Sequence, residues 1–396
     1  MALGLYIHIP FCLSKCAYCD FVSYPDLLAL LPAYVGALRA EYEMYGDLLA
    51  GACADTVYLG GGTPSLLPAD LLADVLDLCR SASGAAAFEI TMEANPGTMD
   101  PAKLEAFVRG GGTRLSLGLQ THDACLLRLL GRRHTAAEAA GAVADARRAG
   151  VTRINLDLIY GLPGQTAASW RATLDFALSL GPDHLSLYDL ELHPGTPLAR
   201  RIAIGDLARP AEDDTAAMLR EAMRILPAAG FLQYEVASFA RPGAECRHNL
   251  NYWRNGGYLG LGAAAHSHLW GRRWANLADP RAYLAAVAAG NPPVAAAEEL
   301  GPDADLLETV MLGLRLREGL DLAVLSGKAG LLGGALFGQA LPRLASAGLI
   351  ELTARGERLR LTERGVLLAD YVLRSLAAEL PQAPRPLDKA PGPCYF

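Results

Sequence analysis

Cys12, Cys16 and Cys19 lie in the run His8-Ile9-Pro10-Phe11-Cys12-Leu13-Ser14-Lys15-Cys16-Ala17-Tyr18-Cys19-Asp20-Phe21. A CxxxCxxC loop offers three thiolates to a [4Fe–4S] cube and leaves the fourth iron without a protein ligand. An iron with an open position can chelate a small molecule through an amino and a carboxylate group. S-adenosylmethionine carries both. The competing chemistries fit the spacing less well. A structural zinc site takes four ligands, commonly as two CxxC pairs, and no second pair is present. A disulfide framework needs an oxidising compartment, and nothing in the chain points to one. Cys53, Cys79, Cys125, Cys246 and Cys394 are scattered and read mostly as small buried hydrophobes.

Further polar residues follow apolar runs. In Gly60-Gly61-Gly62-Thr63-Pro64, consecutive glycines let the backbone approach a ligand and present its N–H and C=O groups. The segment is no phosphate loop, since GxxxxGK[ST] is absent. An ordinary strand-to-helix turn is the alternative, and the neighbouring cysteine loop favours the ligand. Glu93, in Glu93-Ala94-Asn95-Pro96-Gly97, can accept hydrogen bonds from a ribose diol. Gln120 closes Ser116-Leu117-Gly118-Leu119-Gln120, and Arg132 offers a guanidinium fork for a ligand carboxylate. Asp157 sits within Asn155-Leu156-Asp157-Leu158-Ile159-Tyr160-Gly161. Taken singly, each is an ordinary solvated polar residue. Their recurrence at successive strand ends makes a shared site the better reading.

The elements that must position these residues alternate in type. Strands are expected at Gly4–Ile9, Thr56–Leu59, Phe88–Glu93, Arg114–Leu119, Arg153–Ile159 and Leu185–Leu190. Helices are expected at Pro68–Ser81, Pro101–Arg109, Thr135–Ala149 and Ala167–Leu180. Such alternation predicts an α/β fold, a partial (βα)6 TIM-like barrel with its chemistry at the C-terminal strand ends. The barrel is assigned residues 1–209, and a bridging region 210–300. From 301 to 380, helices precede two strands, Gly348–Leu352 and Arg358–Thr362, which flank the hairpin signal Ala354-Arg355-Gly356-Glu357. This reads as a C-terminal winged-helix-like domain. Residues 381–396 are Pro-rich and aperiodic, which predicts a flexible tail.

Composition narrows the function further. With 396 residues and 52% hydrophobic content, the chain can bury a large core in more than one domain. A net charge of -7 argues against coating nucleic acid or an anionic membrane. In the winged-helix-like region, nine Lys/Arg face ten Asp/Glu, whereas a DNA-binding wing would want a basic face. A packing or partner-docking role is expected instead. No stretch approaches the roughly 20 apolar residues of a membrane span. The first strand and cluster loop begin almost at once, without a signal peptide, so a cytoplasmic location is expected.

Together these motifs resemble the HemN/HemW group of radical S-adenosylmethionine proteins. The residues that carry the resemblance are the cysteine loop, GGGTPS at 60–65, EANPG at 93–97, LSLGLQ at 115–120, LDLIYGLPGQT at 156–166 and HNLNYW at 248–253. The resemblance implies that Cys12, Cys16 and Cys19 bind a [4Fe–4S] cluster. It implies S-adenosylmethionine contacts at Tyr6, Tyr18, Gly61, Gly62, Thr63, Glu93, Gln120, Arg132 and Asp157. It also implies an electron donor for the cluster.

Two activities occur within this group. Its coproporphyrinogen III dehydrogenases resemble this core but carry a long segment before the cluster loop and a CxxCxC fourth cysteine. Here ten residues separate Met1 from Cys12, and Phe21 stands two after Cys19. The hexad His248-Asn249-Leu250-Asn251-Tyr252-Trp253 instead resembles the HNxxYW signature of the heme-trafficking branch. His248, Asn249, Tyr252 and Trp253 are therefore expected to bind heme, with His248 as the axial ligand and the two aromatics stacked on the macrocycle. His266, His268 and Cys246 are secondary ligand candidates. By residue type alone, a buried aromatic turn with a locally bonded histidine would be favoured; the resemblance reverses that preference. The expected function is heme binding and transfer to apo-haemoproteins, such as membrane-associated respiratory proteins. Coproporphyrinogen III oxidation is the alternative.

Overall fold

The computed structural model describes residues 3–46, 49, 52–83, 89–329, 336–353 and 355–380. The expected tail at 381–396, and Phe88, Ala354 and Cys394, lie outside the described residues.

Six parallel strands stand side by side in chain order: β1 (Leu3–Ile9), β2 (Thr56–Gly61), β3 (Glu89–Ala94), β4 (Arg114–Gln120), β5 (Arg153–Tyr160) and β6 (His184–Asp189). β2 and β4 are buried along their whole length. Strands covered on both faces read as continuous apolar runs, and that pattern makes them recognisable in sequence. The helices between them cover the outer face. The helix Ala69–Ala82 buries Leu72, Val75, Leu76 and Cys79, the i, i+3, i+4, i+7 stripe of an amphipathic helix.

Helix starts follow local chemistry. Asp100 accepts from Lys103 N ahead of Pro101, and Thr135 forms a capping box with Glu138. These signals explain why Pro101–Arg109 and Ala136–Ala149 begin where the sequence predicts.

The register aligns the polar residues. Glu93 pairs with Ser116, Gly118 with Asp157, and Asp157 with Ser186. Because alternate strand residues share a face, these side chains turn toward the same interior. Charge is buried at the opposite, N-terminal strand ends as well. Arg114, 2% exposed, pairs with Glu89 at 3.2 Å and donates to the carbonyls of Ala244 and Glu245.

The region expected to bridge, 210–300, largely extends this same sheet. β7 (Leu232–Gln233) and β8 (Ser238–Ala240) add antiparallel beyond β6. At the other edge, β9 (Gly257–Leu261) pairs parallel with β1, and β10 (His266–Leu269), β11 (Arg272–Asn276) and β12 (Val294–Glu299) continue antiparallel. The result is a twelve-stranded sheet. The hexad itself is helical, Arg247–Trp253.

The C-terminal domain has helices at Pro302–Gly313, Leu322–Ala329 and Ala340–Ser346. Its small antiparallel sheet comprises β13 (Leu320–Asp321), β14 (Ile350–Leu352) and β15 (Arg358–Leu361), and two closing helices run Glu363–Leu367 and Ala369–Ala377. This is the winged-helix-like arrangement. It docks on the barrel through a two-armed ion pair between Arg273 and Glu308, at 2.6 and 2.9 Å. Asn255 adds hydrogen bonds to Asp305 and Thr309. Among the described residues, no helix is long and apolar enough to cross a membrane.

Candidate functional site

The cysteine loop leaves the C-terminal end of β1 and is fastened at several points. Ile9 O accepts from both Phe11 N (2.9 Å) and Gly62 N (3.0 Å), so the loop and the glycine segment share one carbonyl. Phe11 is buried edge-on against Tyr34. Ala17 N donates to Leu130 O, and Leu198 N to Ala17 O. A Cβ at Gly62 would stand 2.6 Å from Phe11 O, so only glycine lets the two segments close to this distance.

Three thiols share this loop. Cys12 Sγ lies 3.5 Å from Thr63 Oγ1, and Arg132 Nη1 lies 3.5 Å from Cys16 Sγ. Burial, with added repulsion from Cys16 and Cys12, pushes the Cys19 thiol up to about 12. A bound metal would deprotonate that thiol on coordination. Among the described residues, no three His, Cys, Asp or Glu side chains converge to hold a single metal ion. The CxxxCxxC spacing offers one thiolate to each of three corners of a cube. The donor set therefore fits a [4Fe–4S] cluster.

A cavity of about 1150 Å³ opens above the loop. Tyr18, Gly61, Gly62, Thr63, Glu93, Gln120, Arg132 and Asp157 line it with the three cysteines. Glu93 accepts from Tyr58 OH at 3.0 Å and from Gly61 N at 3.2 Å. Burial, followed by the nearby Asp157 charge, raises its carboxyl to about 7. Asp157 is also raised by burial, although Ser116 and Asn155 donate to it at 2.8 Å each. Arg132 is held by Gly118 O and Asn95 Oδ1. Two half-buried carboxylates and a guanidinium facing one cavity can take a zwitterionic ligand that also carries hydroxyls.

Tyr6 does not line the cavity. Its hydroxyl meets His8 Nδ1 at 3.0 Å, and its ring stacks on Tyr58. Asn95 and Ser116 were not singled out in sequence; Asn95 joins Thr63 to Arg132 and Ser116 supports Asp157. Their positions at strand ends were the available signal.

Replacing Glu93 with alanine is expected to weaken S-adenosylmethionine binding about tenfold to a hundredfold, the loss of a charge-assisted hydrogen bond worth roughly 1.5–3 kcal/mol. Iron content should stay at the wild-type level. Calorimetric titration beside an iron assay checks both.

The heme hexad is divided by the fold. Asn249, Tyr252 and Trp253 line the cavity. Asn249 Oδ1 and Trp253 Nε1 are buried without a hydrogen-bond partner. His248 is set back from the cavity. It is fully buried off the cavity wall, with Nδ1 2.9 Å from Thr56 Oγ1 and Nε2 2.8 Å from Tyr252 OH. Its N–H donates to Glu89, and its ring stacks on Tyr58. Burial lowers it to about 3, keeping it neutral. Cys246 is likewise buried away from the main cavity, with Sγ donating to Glu89. His266 and His268 do line it.

Comparison with known proteins agrees with this geometry. The radical SAM superfamily matches residues 6–177, and the HemN C-terminal domain matches residues 300–368. The chain is 42% identical over 383 residues to the heme chaperone HemW of Mycobacterium tuberculosis, covering 94% of each protein. It is 34% identical over 379 residues to the heme chaperone HemW of Bacillus subtilis, covering 95% of this chain and 99% of that one. Among solved structures, the coproporphyrinogen III oxidase HemN of Escherichia coli superposes with a TM-score of 0.83 at 26% identity, covering 96% of this chain and 91% of that one.

Proposed function

Because this chain belongs to the HemN/HemW group of radical S-adenosylmethionine proteins, we propose that it is a heme chaperone. In this reading the barrel carries a [4Fe–4S] cluster and S-adenosylmethionine, and the outer cavity holds heme for transfer to apo-haemoproteins, respiratory ones among them. The carrying observation is the extent of the cavity. At about 1150 Å³ it exceeds the roughly 300–1,000 Å³ of ordinary small-molecule pockets, and it runs from the cysteines to the C-terminal domain.

The two ends differ in chemistry. Near the cluster loop the walls are Glu93, Asp157 and Arg132. Where the C-terminal domain forms the wall it supplies Leu307, Met311, Leu312 and Leu367, which with Trp253 make a lining suited to a flat apolar macrocycle. Arg315 lies 5.4 Å from the Trp253 ring and is placed to pair with a propionate.

A bound cluster and S-adenosylmethionine supply one-electron chemistry. The residues' own part is to orient and exclude water. Cys12, Cys16 and Cys19 hold three corners of the cube, and Gly61 to Thr63 shape the wall beside it. Glu93 and Arg132 position the ligand's polar groups. Phe21, where the dehydrogenases of the group have a fourth cysteine, supports the chaperone over coproporphyrinogen III oxidation.

Anaerobic reconstitution tests this. The cluster-loaded protein should retain heme through gel filtration, surrender it to an apo-haemoprotein, and leave coproporphyrinogen III unchanged in the presence of S-adenosylmethionine and a reductant. Robust formation of protoporphyrinogen IX, with no heme retained, would establish the oxidase instead.

A further inference from the structure

We propose that His268, on β10, is the axial ligand of the heme iron. The inference rests on the heme-chaperone reading and assigns the ligand to a residue other than His248, whose two ring nitrogens are already hydrogen-bonded.

The chain has eight histidines. Six have a ring nitrogen already engaged. His8 is held by Tyr6 and Val22, His184 by Asn155 and Tyr234, and His248 by Thr56 and Tyr252. His122 bonds Thr173, and His134 bonds Leu119 O. His193 lies between Asp20 and Glu191. Among the described residues, only His266 and His268 make no ring hydrogen bond, and both line the cavity.

They sit two apart on one strand, so their rings share a face, while Ser267 between them turns inward to Gly260. Position separates the pair. His266 lies on the side of His8, toward the cluster. His268 stands opposite Tyr258 in the β9–β10 ladder, with ring centroids 6.2 Å apart, and its charged neighbours are Arg273, Asp305 and Lys328 beside the C-terminal domain. Asp305 belongs to the helix Pro302–Gly313, which also supplies Leu307 and Met311 to the cavity wall.

His268 is 7% exposed, held by the sheet, and can present a nitrogen lone pair without breaking an existing hydrogen bond. Burial and the adjacent Arg273 lower it to about 4, so the imidazole is neutral at physiological pH, the form that ligates iron. Ligation is a simple donation to the iron, with no change of oxidation state or proton count.

The test loads the full-length chain with hemin and records the Soret band and the electron paramagnetic resonance spectrum. His268→Ala and His268→Gln should shift the Soret band and lose the imidazole-ligated signal, and added imidazole should restore it in His268→Ala. His266→Ala should keep the wild-type spectrum. Cluster absorbance and the thermal melt of each variant report folding, and the glutamine variant preserves a polar side chain if alanine perturbs the strand. A wild-type spectrum in both His268 variants, or a shift confined to His266→Ala, overturns the assignment while leaving the chaperone reading intact. Failure of the wild-type protein to take up heme overturns both.

Discussion

Alanine at Cys12, Cys16 or Cys19 is expected to abolish the [4Fe–4S] absorbance near-completely, the largest single-residue effect in the molecule. In the proposed cluster each thiolate would hold a different corner, so removing one would leave a second iron without a protein ligand. Among the described residues no fourth thiol can replace it: Cys79 is fully buried on the helix Ala69–Ala82, Cys53 and Cys125 are exposed elsewhere, and Cys246 is enclosed against Glu89. Cys53→Ala should therefore retain wild-type iron and sulfide. Cluster loss in Cys53→Ala as complete as in Cys16→Ala would show that the three-cysteine assignment is wrong.

Arg114→Ala is expected to destabilise the fold by about 3–5 kcal/mol, the usual cost of stripping a buried carboxylate of its partner. The guanidinium neutralises Glu89 and also satisfies the carbonyls of Ala244 and Glu245, which lead into the helix bearing His248. Glu89 in turn accepts from His248 N and Cys246 Sγ. The deletion thus leaves one charge and two carbonyls without their partner at the closed end of the barrel. Denaturant unfolding of the apo proteins measures the loss. Adding Glu89→Gln to Arg114→Ala should recover part of it, because the amide keeps an acceptor for His248 N without burying an unpaired charge. Equal stability of Arg114→Ala and wild type would mean that water reaches Glu89 freely.

The barrel was legible because its signals are local. Runs such as Thr56–Leu59 and Arg114–Leu119 are apolar or β-rich over a strand's length, and Asp100, Thr135 and Thr166 cap helices through their own side chains. β9 to β12 carried weaker signals. Val294–Glu299 is rich in Ala and Glu, both poor strand formers, yet it pairs with β11 because it lies beside an edge that needs covering. The extension of the sheet by 210–300 could therefore not be read from local preference.

What the sequence determined alone was the chemistry that chain spacing can fix. Three cysteines within eight residues must lie on one loop, and a run of glycines must admit a close approach, whatever surrounds them. The tertiary structure decided which polar groups are free to act. His248 has the right residue type for a heme ligand, but its lone pair and proton are taken by Thr56 on β2 and Tyr252 one helical turn away, while its backbone N–H goes to Glu89 on β3. His268 is a secondary candidate by sequence, yet the β9–β10 pairing holds it on the cavity wall, and among the described residues its ring has no hydrogen-bond partner. A buried imidazole's role is set by the hydrogen bonds its neighbours make first, and those neighbours are up to 192 residues away in the chain.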